Sequence, residues 1–168
     1  MFRILIVLVF SFYFSNADDI YHSVKGGVLS HSTGFLSYGK EDGTDLNIEV
    51  QFKEKLLKGH ITVGADLSTN NNTSFIYSGL VWEDRFFDNI LLGFSFGLAI
   101  HNGELDEGSN DKRQLGTRIL LREAFEIGYY LNKNSTISIL YDHYSNGGIT
   151  GDRNQGNDNL GIRYGYYF

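Results

Sequence analysis

The sequence predicts an all-β protein, specifically an eight-stranded antiparallel transmembrane β-barrel. Three observations lead there. At least five segments alternate apolar and polar residues with a period of two. Their apolar faces are rich in aromatic residues while the opposite faces are small or charged, with 13 Phe, 11 Tyr and 20 Gly in the chain and no proline. No stretch of the mature sequence carries a 3.6-residue helical period. Strand side chains point alternately to opposite faces. A barrel in lipid therefore needs apolar residues outside and small or polar ones within, and it must close because lipid offers an open edge no hydrogen bonds. A secreted soluble barrel or sandwich would show the same alternation, with the apolar face packed as a core.

Taken in order, residues 1–17 read as a secretory signal peptide. Arg3 precedes an apolar run, Ile4–Phe14, and small residues follow at Ser15-Asn16-Ala17. The run is shorter than the ~20 residues a membrane-spanning helix needs. Residues 18–168 are then one barrel domain. The first strand, Ile20–Ser32, alternates least tidily. Asp45–Phe52 sets Leu46, Ile48, Val50 and Phe52 against Asn47, Glu49 and Gln51, and Ile61–Leu67 sets Ile61, Val63, Ala65 and Leu67 against Thr62, Gly64 and Asp66. Thr73–Trp82 is a strand of ambiguous facing. Leu91–Ile100 places Leu92, Phe94, Phe96, Leu98 and Ile100 opposite Gly93, Ser95, Gly97 and Ala99. Thr117–Leu131 is long, with Arg122, Glu126 and Gly128 on its polar face. Thr136–Ser145 and Asn157–Phe168 complete the eight. Glu49, Asp66, Arg122, Glu126, Asp142 and Arg163 form an inward set able to pair across the lumen. The terminal Tyr164, Tyr166 and Phe168 resemble the C-terminal assembly signal of bacterial outer-membrane barrels.

Barrels of this kind keep short periplasmic turns and longer external loops. The periplasmic connections are expected at Lys53–His60, Glu83–Ile90 and Asn132–Ser135, and the external ones at Thr33–Thr44, Ser68–Asn72, His101–Gly116 and Asn146–Gly156. A net charge of −6 argues against nucleic acid as a partner, and the absence of cysteine removes disulfides, thiolate metal sites and a lipid-anchoring cysteine.

The candidate site lies at the external end of the last two strands. His143 and Ser145 end the apolar face of one strand, and Asp158 opens the apolar face of the other. A pairing whose indices sum to 301 places His143 opposite Asp158, Tyr141 opposite Leu160 and Ile139 opposite Ile162, matching apolar to apolar. A hydroxyl, an imidazole and a carboxylate then gather on the lipid-facing wall, where polar groups are costly. That is the composition of a serine-hydrolase triad. Taken singly, each residue has an ordinary explanation: turn chemistry for Ser145-Asn146-Gly147-Gly148, an interfacial His143, a loop-flanking Asp158. Asp152, in the loop, is the competing acid.

The block His143-Tyr144-Ser145-Asn146-Gly147-Gly148, followed by Asn154-Gln155-Gly156-Asn157-Asp158, resembles the signature of the lipid A 3-O-deacylases. The resemblance extends through Leu115-Gly116 and the Arg118–Leu131 strand, and more faintly to Asp45–Phe52. It implies an outer-membrane enzyme that removes the 3-O-linked acyl chain of lipid A in lipopolysaccharide. Ser145 would be the nucleophile, His143 the general base and Asp158 the orienting acid, with an oxyanion site near Asn146, Gly147, Gly148 and Asn154. No cofactor or catalytic metal is implied; the partners are lipopolysaccharide and outer-membrane lipid, and a homodimer is left open. The family acid is usually Glu, so Asp158 is one methylene shorter, and the preceding loop is one residue longer. The loop 101–116 is net acidic, a poor direct clamp for lipid A phosphates. Two other readings compete. The first is a phospholipase A-like acyl hydrolase, whose family is a larger, calcium-dependent, dimeric twelve-stranded barrel. The second is a non-catalytic structural or adhesive barrel.

Overall fold

The computed structural model describes residues 17–37, 41–105, 113–149 and 154–168. The leader expected over residues 1–17 lies outside them except for Ala17, which opens a short helical turn, α1 (Ala17–Ile20). Eight strands follow: β1 (Tyr21–His31), β2 (Gly43–Leu56), β3 (Gly59–Ser68), β4 (Phe75–Phe86), β5 (Ile90–His101), β6 (Ile119–Tyr130), β7 (Ser135–Ser145) and β8 (Asn157–Tyr167). Each pairs with its neighbour in sequence, and β8 returns antiparallel onto β1, so the sheet closes.

The alternation sorts as lipid demands. On β5, Leu92, Phe94, Phe96, Leu98 and Ile100 point outward and stand exposed, whereas Leu91 and Ala99 are buried. The same outward apolar stripe recurs at Ile137 and Ile139 on β7 and at Leu160, Ile162 and Tyr164 on β8. An apolar belt wrapping the whole barrel is untenable in water. The soluble-barrel alternative, which needs that face packed, therefore does not hold. Among the described residues no helix is long and apolar enough to cross a membrane; the strands do the crossing. On β4, ambiguous in sequence, Phe75, Tyr77 and Val81 face inward and Ile76 outward.

The lumen is filled rather than open. All six residues expected inside, Glu49, Asp66, Arg122, Glu126, Asp142 and Arg163, are buried. Lys25 and Glu83 join them: Lys25 Nζ lies 2.6 Å from Glu83 and 2.9 Å from Glu126. Arg163 pairs with Glu126 and, at 3.3 Å, with Glu49. Arg122 donates to Asp142 at 2.9 Å and lies over the Tyr77 ring. That ring fits because β3 carries Gly64 beneath it; a Cβ there would meet Tyr77 Cζ at 2.4 Å. Buried charges of this density persist only when paired.

Two turns are tighter than the sequence suggested. β2 and β3 run on until only Leu57 and Lys58 remain between them, and β4 and β5 leave only 87–89. Leu57, Lys58, Phe87 and Asp88 all have positive φ, the backbone of a hairpin turn matched to strand twist. Here it is imposed on residues other than glycine, so the usual turn signal is absent. The short turns gather at one end of the barrel, and the strand ends joined by the longer connections, His31 and Gly43, Ser68 and Phe75, His101 and Ile119, Ser145 and Asn157, at the other.

Candidate functional site

At the long-loop end, β7 and β8 pair in the expected register. His143 stands opposite Asp158, Tyr141 opposite Leu160 and Ile139 opposite Ile162. His143 Nδ1 lies 2.6 Å from Asp158 Oδ1. The Tyr141 hydroxyl donates to the same oxygen at 3.0 Å. Asp158 belongs to the outward-facing set but is not a bare carboxylate at the membrane surface: it is fully buried. The β1–β2 connection folds over it, and its Oδ2 accepts the main-chain N–H groups of Leu36 and Ser37 at 2.7 and 2.8 Å and the Ser37 hydroxyl at 2.8 Å. The Thr33 N–H reaches the Asp158 carbonyl at 2.8 Å, and Phe35 packs edge-on against Tyr141. With donors on both oxygens there is no place for a carboxyl proton. The group is ionised, and His143 Nδ1 is the donor in the pair.

Ser145 ends β7 on the same outward face, one strand repeat beyond His143 and opposite Leu121. No hydrogen bond joins its hydroxyl to His143: residues two apart on a strand sit about 7 Å apart, and the side chains do not lean together here. The chain then turns at Asn146. Gly147 and Gly148 both have positive φ, and Ile149 N–H closes the turn on the Asn146 carbonyl at 3.2 Å. Asn146 is buried and works as scaffold. Its N–H goes to Asn154 Oδ1 at 3.1 Å, its Nδ2 to the Leu115 carbonyl at 3.3 Å, and its Oδ1 accepts Gly148 N–H at 2.8 Å. Of the main-chain donors read as an oxyanion site, Asn146 and Gly148 are thus engaged, while Gly147 N–H has no partner among the described residues. Gly156, also at positive φ, backs the imidazole: a Cβ there would lie 3.3 Å from His143 Cε1.

Asp152, the competing acid, lies outside the described residues. Leu36, Ser37 and Tyr141 were not read from sequence as part of the site. Tyr141 reads in sequence only as apolar wall, and the Leu36 contribution is main chain. Below the site, Leu92, Phe125, Ile127, Ile139 and Tyr141 line an apolar groove of about 400 Å³ on the outer wall. Among the described residues no group of three or more His, Asp or Glu side chains is arranged to hold a metal ion.

Fold and site together define an outer-membrane-type β-barrel with a buried carboxylate paired to a half-buried imidazole on its lipid-facing wall. The profile of the family described as lipid A 3-O-deacylase (PagL) matches residues 25–167, and the chain belongs to that family. A search of curated protein sequences gives no match. Among solved structures, the outer membrane enzyme PagL matches with a TM-score of 0.63 at 14% identity, over 87% of this chain and 99% of that one. Neisserial surface protein A (NspA) matches with the same TM-score at 13% identity, over 87% of this chain and 96% of that one. At such identities the likeness establishes the fold alone, and it does so for an enzyme and a surface protein equally. Neither comparison supports a homodimer.

Proposed function

We propose that this barrel is a serine esterase of the outer membrane that hydrolyses the 3-O-linked acyl chain of lipid A. The observation that carries the reading is the His143–Asp158 pair. A carboxylate has been buried on the lipid-facing wall and supplied with donors so that it can hold one imidazole. A structural barrel has no use for that expense, and a twelve-stranded phospholipase-like architecture is excluded by the eight strands.

In this reading a cleaved leader over residues 1–17 delivers residues 18–168 to the outer membrane, and the site meets lipid A at the external leaflet without extracting it. The acyl chain lies against the wall, where the groove under Tyr141 is apolar. Ser145 Oγ turns toward His143 and attacks the ester carbonyl as Nε2 takes its proton. Asp158 holds the tautomer and stabilises the imidazolium. Gly147 N–H, with the Asn154 side-chain amide, donates to the developing oxyanion. The imidazolium then protonates the sugar 3-oxygen as the bond from it to the acyl carbon breaks, and it leaves as the 3-hydroxyl. Water, deprotonated by the same imidazole, cleaves the acyl-Ser145 ester and releases a 3-hydroxy fatty acid.

The test is mass spectrometry of lipid A from cells making the protein or its Ser145→Ala variant. Wild type removes one 3-hydroxyacyl chain. Ser145→Ala, still a heat-modifiable folded barrel, leaves lipid A intact, a loss of about 10⁴–10⁶ in rate. Unchanged lipid A with accumulating lysophospholipid, or full activity in Ser145→Ala, refutes the proposal.

A further inference from the structure

We infer that Arg113, buried inside the barrel mouth and never in contact with substrate, is the positioning residue that sets the His143–Asp158 pair on the outer wall. The inference rests on the reading of that pair as catalytic.

The acid is held by residues 36 and 37, so its placement is only as firm as the connection that carries them. That connection is pinned on both sides of the cap by one residue. On its β1 side, Arg113 Nε donates to Ser32 Oγ at 2.8 Å, and Nη2 donates to the same oxygen. On its β2 side, the Arg113 main-chain N–H donates to Glu41 Oε1 at 2.9 Å. Glu41 is itself fixed by His31 at 3.1 Å and by the Thr73 N–H at 3.0 Å. Between these pins hang Leu36 and Ser37, the donors to Asp158 Oδ2.

The rest of the guanidinium reaches the other side of the site. Nη1 donates to the Gly156 carbonyl and, at 3.4 Å, to that of Gln155. Gly156 is the residue against which the His143 ring rests, and it is two residues before Asp158. The neighbouring Gln114 N–H reinforces the grip on Gln155 Oε1 at 3.0 Å. A single planar fork thus ties the loop that caps the acid to the loop that backs the histidine, a geometry an ammonium cannot reproduce. The Arg113 side chain is fully buried, and among the described residues it bonds a hydroxyl and two carbonyls. Burial pulls its pKa below the ordinary guanidinium value, opposed by the Asp158 and Glu41 carboxylates nearby. Burying a cation is expensive, and the bonds of this one to both loops are what its burial gains.

The experiment uses full-length protein in detergent micelles, with Arg113→Met, Arg113→Lys and Ser32→Ala. Two quantities are read. One is the far-downfield proton resonance of His143 Nδ1, assigned by its loss in His143→Ala, which reports the bond to Asp158 without any substrate. The other is kcat and KM on lipid A. Arg113→Met is expected to shift or broaden the resonance and to lower kcat about 10- to 100-fold, as misplacement of about 1 Å does, with KM changed much less. Arg113→Lys recovers only part of this. Ser32→Ala, which leaves the guanidinium in place but removes its shared acceptor, moves both quantities in the same direction. It also serves if Arg113→Met fails to fold. A resonance and kcat unchanged in folded Arg113 and Ser32 variants, even with lower melting temperatures, make Arg113 a structural residue only and overturn the inference. If wild type itself lacks deacylase activity while the resonance still responds to Arg113, the proposed function fails and the positioning role stands.

Discussion

Replacing Asp158 by Asn asks the structure which way an amide would turn. The carboxylate accepts from five donors: Leu36 N–H, Ser37 N–H and Ser37 hydroxyl on Oδ2, and Tyr141 hydroxyl and His143 on Oδ1. An amide has one acceptor atom and one NH₂ group. Turned toward the cap, the NH₂ would face two main-chain N–H groups that cannot become acceptors. Turned toward β7, it faces a hydroxyl and an imidazole, and both can. The amide therefore settles with NH₂ toward His143, whose Nδ1 becomes an acceptor and whose proton moves to Nε2. That nitrogen must be bare to take the Ser145 proton. A triad holding the wrong tautomer loses about 10⁴ in kcat, roughly 5.5 kcal/mol of transition-state stabilisation. The barrel itself loses only the charge-assisted part of the cap, about 1–3 kcal/mol. Time courses of lipid A deacylation in detergent, with heat-modifiability as the folding control, separate the two effects. Asp158→Asn retaining more than about a tenth of wild-type kcat refutes the reasoning. Loss in Asp152→Asn but not in Asp158→Asn moves the acid into the 146–156 loop.

Three further outcomes follow from the same geometry. Ser37→Ala removes one donor of three on Oδ2 and leaves the main-chain pair, so kcat falls about tenfold, measured on lipid A; an unchanged rate means the hydroxyl does not order the acid. Lys25→Met leaves Glu83 without its ammonium and strips one cation from Glu126; the urea midpoint for loss of the heat-modifiable form should drop, reflecting about 3–5 kcal/mol, while kcat of the folded fraction is retained. Burial pushes Glu41 up, but the hydrogen bonds from His31 and from the Arg113 and Thr73 N–H groups outweigh it and hold the carboxyl at about 2, below its ordinary 4.5. Its folded pKa is depressed, so its contribution is complete above about pH 4.5 and lost as pH falls through about 2. Proteolysis of the 32–42 connection at graded pH should rise only in that window, and a rise beginning at pH 6 would contradict this.

What the sequence makes legible is what side-chain period and pairing encode. The His143–Asp158 register follows from matching Ile139 to Ile162 and Tyr141 to Leu160, because a one-residue slip would turn every apolar side chain to the wrong face. The ionic lumen is legible for the same reason. The cap on Asp158 is not: its essential donors are the N–H groups of Leu36 and Ser37, and main-chain donors leave no trace in residue type. Nor is the Leu57-Lys58 turn, whose positive φ falls on residues that do not announce it. Arg113 reads in sequence as one charge in a net-acidic external loop; only folding shows it buried and turned inward. Ser145 marks the opposite limit. Parity puts it on the face of His143, yet shared parity does not bring the hydroxyl to the imidazole, and the proposed reaction requires the side chain to rotate toward it.

The placement of the site explains why the barrel mouth is built as it is. A lipid substrate requires the reacting groups to face outward, and there a carboxylate would lie in a medium that solvates it poorly. The lumen cannot supply its donors, because the sheet intervenes and the interior cations are already paired with interior carboxylates. Donors must come from a connection that leaves the mouth and bends over the wall, which residues 33–37 do. Such a connection is held from within the mouth, by groups whose hydrogen bonds are made there: Glu41 by His31, Thr73 and the Arg113 N–H, and the Arg113 side chain by Ser32 and the 155–156 carbonyls. The polar interior and the external site are therefore joined through residues 32–37, which Arg113 grips at Ser32 and which cap Asp158 at Leu36 and Ser37. Weakening the mouth should reach the acid before it reaches the serine, because Ser145 belongs to β7 itself while Asp158 depends on the cap.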